Sequence, residues 1–210
     1  MTLTIYGTAA SRAARPLWVA HELGLAYVHV ALPYLGGATR TPEFLKVNPN
    51  GRIPVVDDSG VLVWESMACT VYLAERFLGA DGGSLAARDN AERAEILRWT
   101  FWVVTECEKD ALLFLMHARL MPPERRRPQR AEEALRHLAG PLRILNQHLQ
   151  DRPYLAGERF TVADICVASV IAWVEDAGEL MAQCPLLRDW LQRCLARPAF
   201  QQVRMMAKSA

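Results

Sequence analysis

The hydrophobic period of the chain changes once, at the glycine-rich stretch from Gly79 to Ser84, and that change limits the folds open to it. Before it, from Leu3 to about Phe77, the pattern turns over every dozen residues, as alternating strands and helices require. LTIYG reads as a strand. In RPLWVAHELGL, the residues Leu17, Trp18, Ala20, His21, Leu23 and Leu25 fall at three- and four-residue spacings. Pro16 suits a first helical turn there and Gly24 a stop. AYVHVAL alternates as a second strand, TPEFLKVN reads as a turn with a short helix, and RIPVV with VLVW forms a hairpin. SMACTVYLAERFL is a second amphipathic helix, capped by Ser66. This order packs two helices against one mixed sheet. Beyond the connector every pattern is helical, from AERAEILRWTFWVVTECEKDALLFLMHARL to PLLRDWLQRCLAR. The expected organisation is an α/β domain over 1–79, a linker over 80–90 and an all-α domain over 91–210.

A chain of 210 residues with 51% hydrophobic and 22% charged side chains can bury a substantial core. The net charge of +1 is spread evenly, with six basic and six acidic residues in the first 80, which excludes the basic footprint of a nucleic-acid binder. The tract RRRPQR, Arg125 to Arg130, reads as the solvated start of a helix. Cys69, Cys107, Cys166, Cys184 and Cys194 are odd in number, with no C-x-x-C pair and no histidine cluster at metal spacing. Neither a disulfide framework nor a metal site is expected, and a reducing cytoplasm fits. The first residues lack a basic segment followed by an apolar core, and no window approaches the ~18 apolar residues of a membrane span.

The stretch NPNGRIPVVDDSGVLVWES carries the chemistry. Pro54 sits within its first apolar run, where a strand tolerates proline only at an edge or bulge. A cis Ile53–Pro54 bond would leave the main chain of Ile53 facing outward, open to a short antiparallel peptide. The second run ends at Trp64, which looks buried, and is followed at once by Glu65 and Ser66. Ser66 opens a helix whose first N–H groups favour a carboxylate, and Glu65 can take an ammonium. An extended peptide with a free α-amino-acid head would satisfy Ile53, Glu65 and Ser66 together. Farther on, Thr161 and Asp164 in FTVADI have capping-box spacing before the apolar helix ICVASVIAWV, a structural role.

NPNGRIPVV, then ES, then a helix ending YLAERF resembles the glutathione transferases. LWVAHELGL, TPEFLKVNP, YLAGERFTVADI and RPAF extend the likeness along the chain. The resemblance implies an amino-terminal thioredoxin-like domain, an all-helical second domain, a cytoplasmic homodimer and glutathione as co-substrate. By it, Ile53 pairs with the cysteinyl backbone, Glu65 and Ser66 hold the γ-glutamyl head, and Arg40 and Arg52 reach the main chain or the glycyl carboxylate. A guanidinium can give a carboxylate two parallel bonds.

Glutathione attacks only as its thiolate, which needs a hydrogen-bond donor and positive surroundings. The loop GTAASRAARP supplies Thr8, Ser11, Arg12 and Arg15. Ser11, near a helix start, is the expected donor with Arg12 beside it; Thr8 or Arg12 at the thiol remain open, as does a simple capping role for Ser11. No tyrosine or cysteine lies in the loop. In ILRWTFWVVTECEKD, Trp99 and Trp102 read either as core or, by the resemblance, as walls for an apolar electrophile. The expected activity is conjugation of glutathione to small hydrophobic electrophiles in detoxification. A non-catalytic carrier or regulator, or a peroxidase or dehalogenating variant, stands as the alternative.

Overall fold

The computed structural model describes residues 2–80 and 82–208, which form two compact units. The first spans residues up to Ala87 together with 196–210, and the second runs from Arg88 to Leu195.

In the first unit β1 (Leu3–Tyr6), β2 (Val28–Val30), β3 (Val55–Asp58) and β4 (Val61–Trp64) form one sheet in the order β2-β1-β3-β4. β1 runs parallel to β2 and antiparallel to β3, which is antiparallel to β4. The parallel pair requires a crossover, supplied by α1 (Ala14–Glu22). α2 (Pro42–Val47) is capped by Thr41, whose hydroxyl accepts from the Phe44 N–H, with Pro42 in its first turn. α3 (Ser66–Arg76) packs beside α1, and Leu17, Trp18, Val19, Val55, Val56, Cys69 and Leu73 between these layers are all buried.

Three sequence expectations need correction here. The strand after Pro54 begins at Val55, so the proline lies before the ladder and takes no donor from it. β4 is an edge strand whose Val61, Leu62 and Trp64 are 52%, 42% and 42% exposed, so Trp64 is not buried. The chain's last segment, expected to stay with the helical domain, returns to the first unit. The final helix, α10 (Pro198–Lys208), lies on α1, with the Phe200 ring 4.4 Å from that of Trp18. Arg197 leads into α10 and makes two 2.7 Å bonds to the carboxylate of Glu22, which also accepts from Trp18 Nε1 at 2.9 Å. A bidentate pair on a mostly buried carboxylate fixes the return geometrically.

The second unit is all-helical. α4 (Asn90–Trp102) and α5 (Glu108–Leu115) are joined by a π turn at Val103–Cys107, and a second π turn follows at Met116–Leu120. α6 (Pro128–His148), α7 (Val162–Ile171), α8 (Gly178–Ala182) and α9 (Pro185–Leu195) complete it. Every residue of α7 is buried, so its amino end cannot rely on water. Thr161 and Asp164 form a capping box there. Asp164 accepts from the Thr161 N–H at 2.8 Å, the Leu155 N–H at 3.0 Å and Trp190 Nε1 at 2.9 Å, tying a loop and α9 to one carboxylate. Glu92 and Arg159 pair bidentately, which holds the Glu92 carboxyl below its usual range. Among the described residues no helix is long and apolar enough to cross a membrane, and no group of three His, Cys, Asp or Glu side chains is placed to hold a metal.

His148 at the end of α6 lies 4.4 Å from the Trp99 ring and gives its Nε2 proton to the Leu155 carbonyl at 2.9 Å. Burial lowers its pKa. A folded-state value below the unfolded ~6.5 means that the unfolded chain takes up a proton the folded one refuses, so stability is lost as pH falls from about 6.5. We expect His148→Gln, which can still donate to Leu155, to reduce the drop in melting temperature between about pH 7.5 and about pH 5.5. An equal drop in both proteins would show that His148 does not contribute to it.

Candidate functional site

The Ile53–Pro54 peptide is cis, and the last rung of the sheet, Tyr6–Val55–Trp64, lies just beyond it. Among the described residues no group bonds to the Ile53 N–H or C=O, which therefore form a short free edge. The loop before it is held by Asn48, 2% exposed. Asn48 Nδ2 donates to the Arg52 carbonyl at 2.8 Å, and its Oδ1 accepts from the N–H and the side chain of Asn50, both at 3.0 Å. Asn48 was missed as a functional residue, although Asn-Pro-Asn-Gly is strong turn chemistry.

Arg40 donates to the Asn50 carbonyl at 3.2 Å and lies against Gly51. Gly51 has φ +58°, and a Cβ on it would fall 2.7 Å from Arg40 Nη1 and 2.8 Å from the Thr39 carbonyl. Only glycine lets the guanidinium come this near. Arg40, which ends a short turn before α2, and Arg52, which follows Gly51 after α2, are both exposed.

Glu65 sits at the other end of the hairpin and adopts φ +72°, ψ +119°, a conformation non-glycine residues rarely hold. It, not Ser66, is the N-cap of α3, a correction to the sequence reading. Ser66 is the first helical residue, and its hydroxyl is released from capping. The strained turn leaves the Glu65 carboxylate exposed and Ser66 6% exposed, with Arg15 Nη1 donating to its Oγ at 2.7 Å. Arg15 is accordingly not part of the loop's field but a buried residue of α1.

The loop after β1 approaches the same place. Gly7, at φ +124°, lies so close that a Cβ there would be 2.8 Å from Ala13 Cβ and 3.0 Å from Ile53 Cβ. Its carbonyl accepts from His29 Nε2 at 2.8 Å. Ser11 is committed locally, donating to the Thr8 carbonyl at 2.7 Å and accepting from the Ala13 N–H at 3.1 Å. Thr8 Oγ1 accepts weakly from the Ala10 N–H at 3.4 Å, and no described group takes its proton. Arg12 is exposed.

Within the second unit, Trp99 is 4% exposed and packs edge-on against Trp102 at 4.9 Å and on His148, which places it in that unit's core. Trp102 is half-buried. All five cysteines are buried, and burial pushes the Cys69 and Cys107 thiols up to about 12, so the chain presents no reactive thiol of its own among the described residues. What the first unit presents is a free main-chain edge flanked by a carboxylate, a helix start, two guanidinium groups and a loop bearing hydroxyls.

Residues 1–75 match the glutathione S-transferase amino-terminal domain and residues 109–198 the carboxy-terminal domain. The chain belongs to the glutathione transferase family. It is 32% identical over 187 residues to the disulfide-bond oxidoreductase YfcG of Escherichia coli K12, covering 82% of this chain and 80% of that protein. To the glutathione S-transferase GstB of the same organism it is 28% identical over 190 residues, 90% of each chain. Its fold matches the theta class glutathione S-transferase of Xanthomonas axonopodis pv. citri, solved with glutathione bound, at a TM-score of 0.84 and 30% identity, over 97% of both chains. The thioredoxin-like and all-helical parts are those of this family.

Gly60 has φ +98° and open space around it, so it provides a control for the close approach at Gly7. Gly7→Ala should destabilise the protein more than Gly60→Ala by about 1–3 kcal/mol in urea unfolding, because only the former adds overpacking to backbone strain. Equal losses would show that the contact with Ala13 and Ile53 relaxes freely.

Proposed function

We propose that the protein binds glutathione on the first unit and ionises its thiol for attack on small hydrophobic electrophiles. The observation that carries this is the free Ile53 main chain between the Glu65–Ser66 turn and the Gly7 loop. The cysteinyl residue of glutathione adds as a one-residue strand to Ile53, Glu65 takes the γ-glutamyl ammonium, and Ser66 with the first N–H groups of α3 takes the carboxylate. Arg40 and Arg52 take the glycyl carboxylate.

The thiol then lies toward the loop that Gly7 holds against Ile53. Lowering its pKa by ~2 requires about 2.7 kcal/mol, which one charge-assisted hydrogen bond with a nearby cation can supply. Ser11 could donate only by releasing the Thr8 carbonyl, whereas the Thr8 proton needs no such exchange. This supports Thr8 as the first donor, with Ser11 holding the loop and Arg12 adding positive charge. The exposed apolar side chains of β4, and separately Leu97, Phe101 and Val104 of α4, support assembly as a homodimer.

A second reading, glutathione-dependent disulfide exchange, is favoured by the likeness to YfcG. The attacking sulfur would again be that of glutathione, since the chain's own thiols are buried.

Calorimetric titration with glutathione, paired with the ultraviolet absorbance of the bound thiolate across pH, tests this. Glu65→Ala and Ser66→Ala should each weaken binding by about 10–100-fold with the fold intact. Thr8→Val should raise the bound thiol pKa by about 1–2, and Ser11→Ala by less. Binding with a thiol pKa equal to that of free glutathione would mark a carrier instead of an enzyme. A panel of aryl halides and small disulfides then separates the two activities.

A further inference from the structure

The first unit holds a cavity of about 280 Å³ at the end of the sheet away from Ile53. β1 and β3 pair from Leu3–Asp58 to Tyr6–Val55, so the rung at the cavity is the first and the rung beside Ile53 is the last. Leu3, Leu23, Leu25, Phe77 and Leu78 give it apolar walls, and among the described residues that line it Asp58 alone is charged. Apolar cavities of roughly 150 Å³ hold benzene in other proteins, so this one has room for an aromatic ring with a short polar arm. Asp58 is 6% exposed. Its Oδ2 accepts from the Tyr72 hydroxyl at 2.9 Å and from Arg76 Nε at 3.2 Å, whereas its Oδ1 accepts from no group among the described residues. A carboxylate can accept about four hydrogen bonds, so half of this capacity is open. The Arg76 side chain is 45% exposed, and solvent screens its charge from Asp58.

α1 and α3 both end here. Leu23 is the C-cap of α1 and Phe77 that of α3, so the carbonyl ends of two helices meet one cavity. A helix carries partial negative charge at that end. A buried carboxylate with an unclaimed oxygen and two negative helix ends favour a cation, and the walls around them favour an apolar body. We propose that this cavity is a binding site for a small primary amine on an aromatic or aliphatic body, its ammonium donating to Asp58 Oδ1 and its body covered by Leu3, Leu23 and Phe77. The site is separate from the peptide edge at Ile53 and stands independently of the glutathione reading.

Titration of the isotope-labelled protein, followed by its amide magnetic-resonance shifts, tests this with benzylamine, benzyl alcohol and phenylacetate as probes. Benzylamine should saturate with a dissociation constant of about 0.1–3 mM and move the amides of Leu3, Gly24 and Phe77. Benzyl alcohol should bind at least about tenfold more weakly, and phenylacetate more weakly still. Asp58→Asn should weaken benzylamine by at least about tenfold and leave benzyl alcohol within about twofold. Saturating glutathione should change benzylamine binding by less than about twofold, because the two ends of the sheet are distinct. The proposal is overturned by a benzylamine titration that does not saturate at these residues, by equal binding of alcohol and amine, or by unchanged affinity in a folded Asp58→Asn variant. Displacement of benzylamine by glutathione would place the amine at the peptide edge and overturn it too. Leu78 is 65% exposed, so Leu78→Lys leaves the core intact. It brings a competing ammonium to the cavity and should weaken benzylamine by at least about fivefold. Should Asp58→Asn fail to fold, unchanged affinity in Leu78→Lys overturns the proposal in its place.

Discussion

There is no room for a side chain at position 7. Any Cβ there would strike Ala13 and Ile53, so the absence of one lets the loop after β1 and the turn before β3 lie in contact. Two parts of the chain some 46 residues apart are thereby held at van der Waals distance, one bearing hydroxyls and the other a free peptide edge. His29 adds a bond to the Gly7 carbonyl from β2. If the contact opened by an ångström, a peptide bound at Ile53 would no longer bring its side chain to the loop, and proximity would be lost before any question of pKa arose.

Beside that contact, the turn before Ile53 is shaped by neutral groups, while the charged Arg52 and Glu65 stay exposed. Asn48 fixes the turn before Ile53 with three hydrogen bonds from an amide, so Arg52, whose carbonyl it grips, keeps its guanidinium in solvent. Gly51 yields the space in which Arg40 reaches across to the Asn50 carbonyl. Glu65 occupies a strained backbone region, and the strain is tolerated because β4 and α3 hold both sides of it. A carboxylate that capped α3 with its side chain would be less free for a ligand. At Glu65 the backbone turns the chain and the side chain makes no capping bond.

The order of elements was readable because it rests on hydrophobic period, a local property. β1, α1, β2 and α3 lie close to where alternation and three- to four-residue spacing put them. What was not readable depended on long-range contacts. VLVW looks like core, but as an edge strand it leaves Val61, Leu62 and Trp64 largely exposed, which the sequence cannot distinguish from a central strand. The return of α10 to α1 depends on Arg197 meeting Glu22, 175 positions away. The site shows the same division. Ile53, Glu65 and Ser66 stand out as candidates through proline and helix-start chemistry, whereas the one-residue shift of the cap, the clip made by Asn48 and the committed proton of Ser11 are matters of geometry. Arg15 was read as part of a cationic loop because its neighbours in sequence are, while its contact is with Ser66 on another helix.

Binding alone does not produce turnover. Interactions with parts of a ligand that a reaction leaves unchanged stabilise ground and transition states alike. Burial has pushed the Cys69 and Cys107 thiols up to about 12, so neither ionises near neutral pH. The loop that Gly7 holds against Ile53 bears Thr8 and Ser11. Of its two hydroxyls, one is spent on a carbonyl of the same loop and the other is not. The edge at cis Ile53–Pro54 and the strained turn at Glu65 are thus fixed by backbone geometry, while one hydroxyl proton in the neighbouring loop has no acceptor among the described residues.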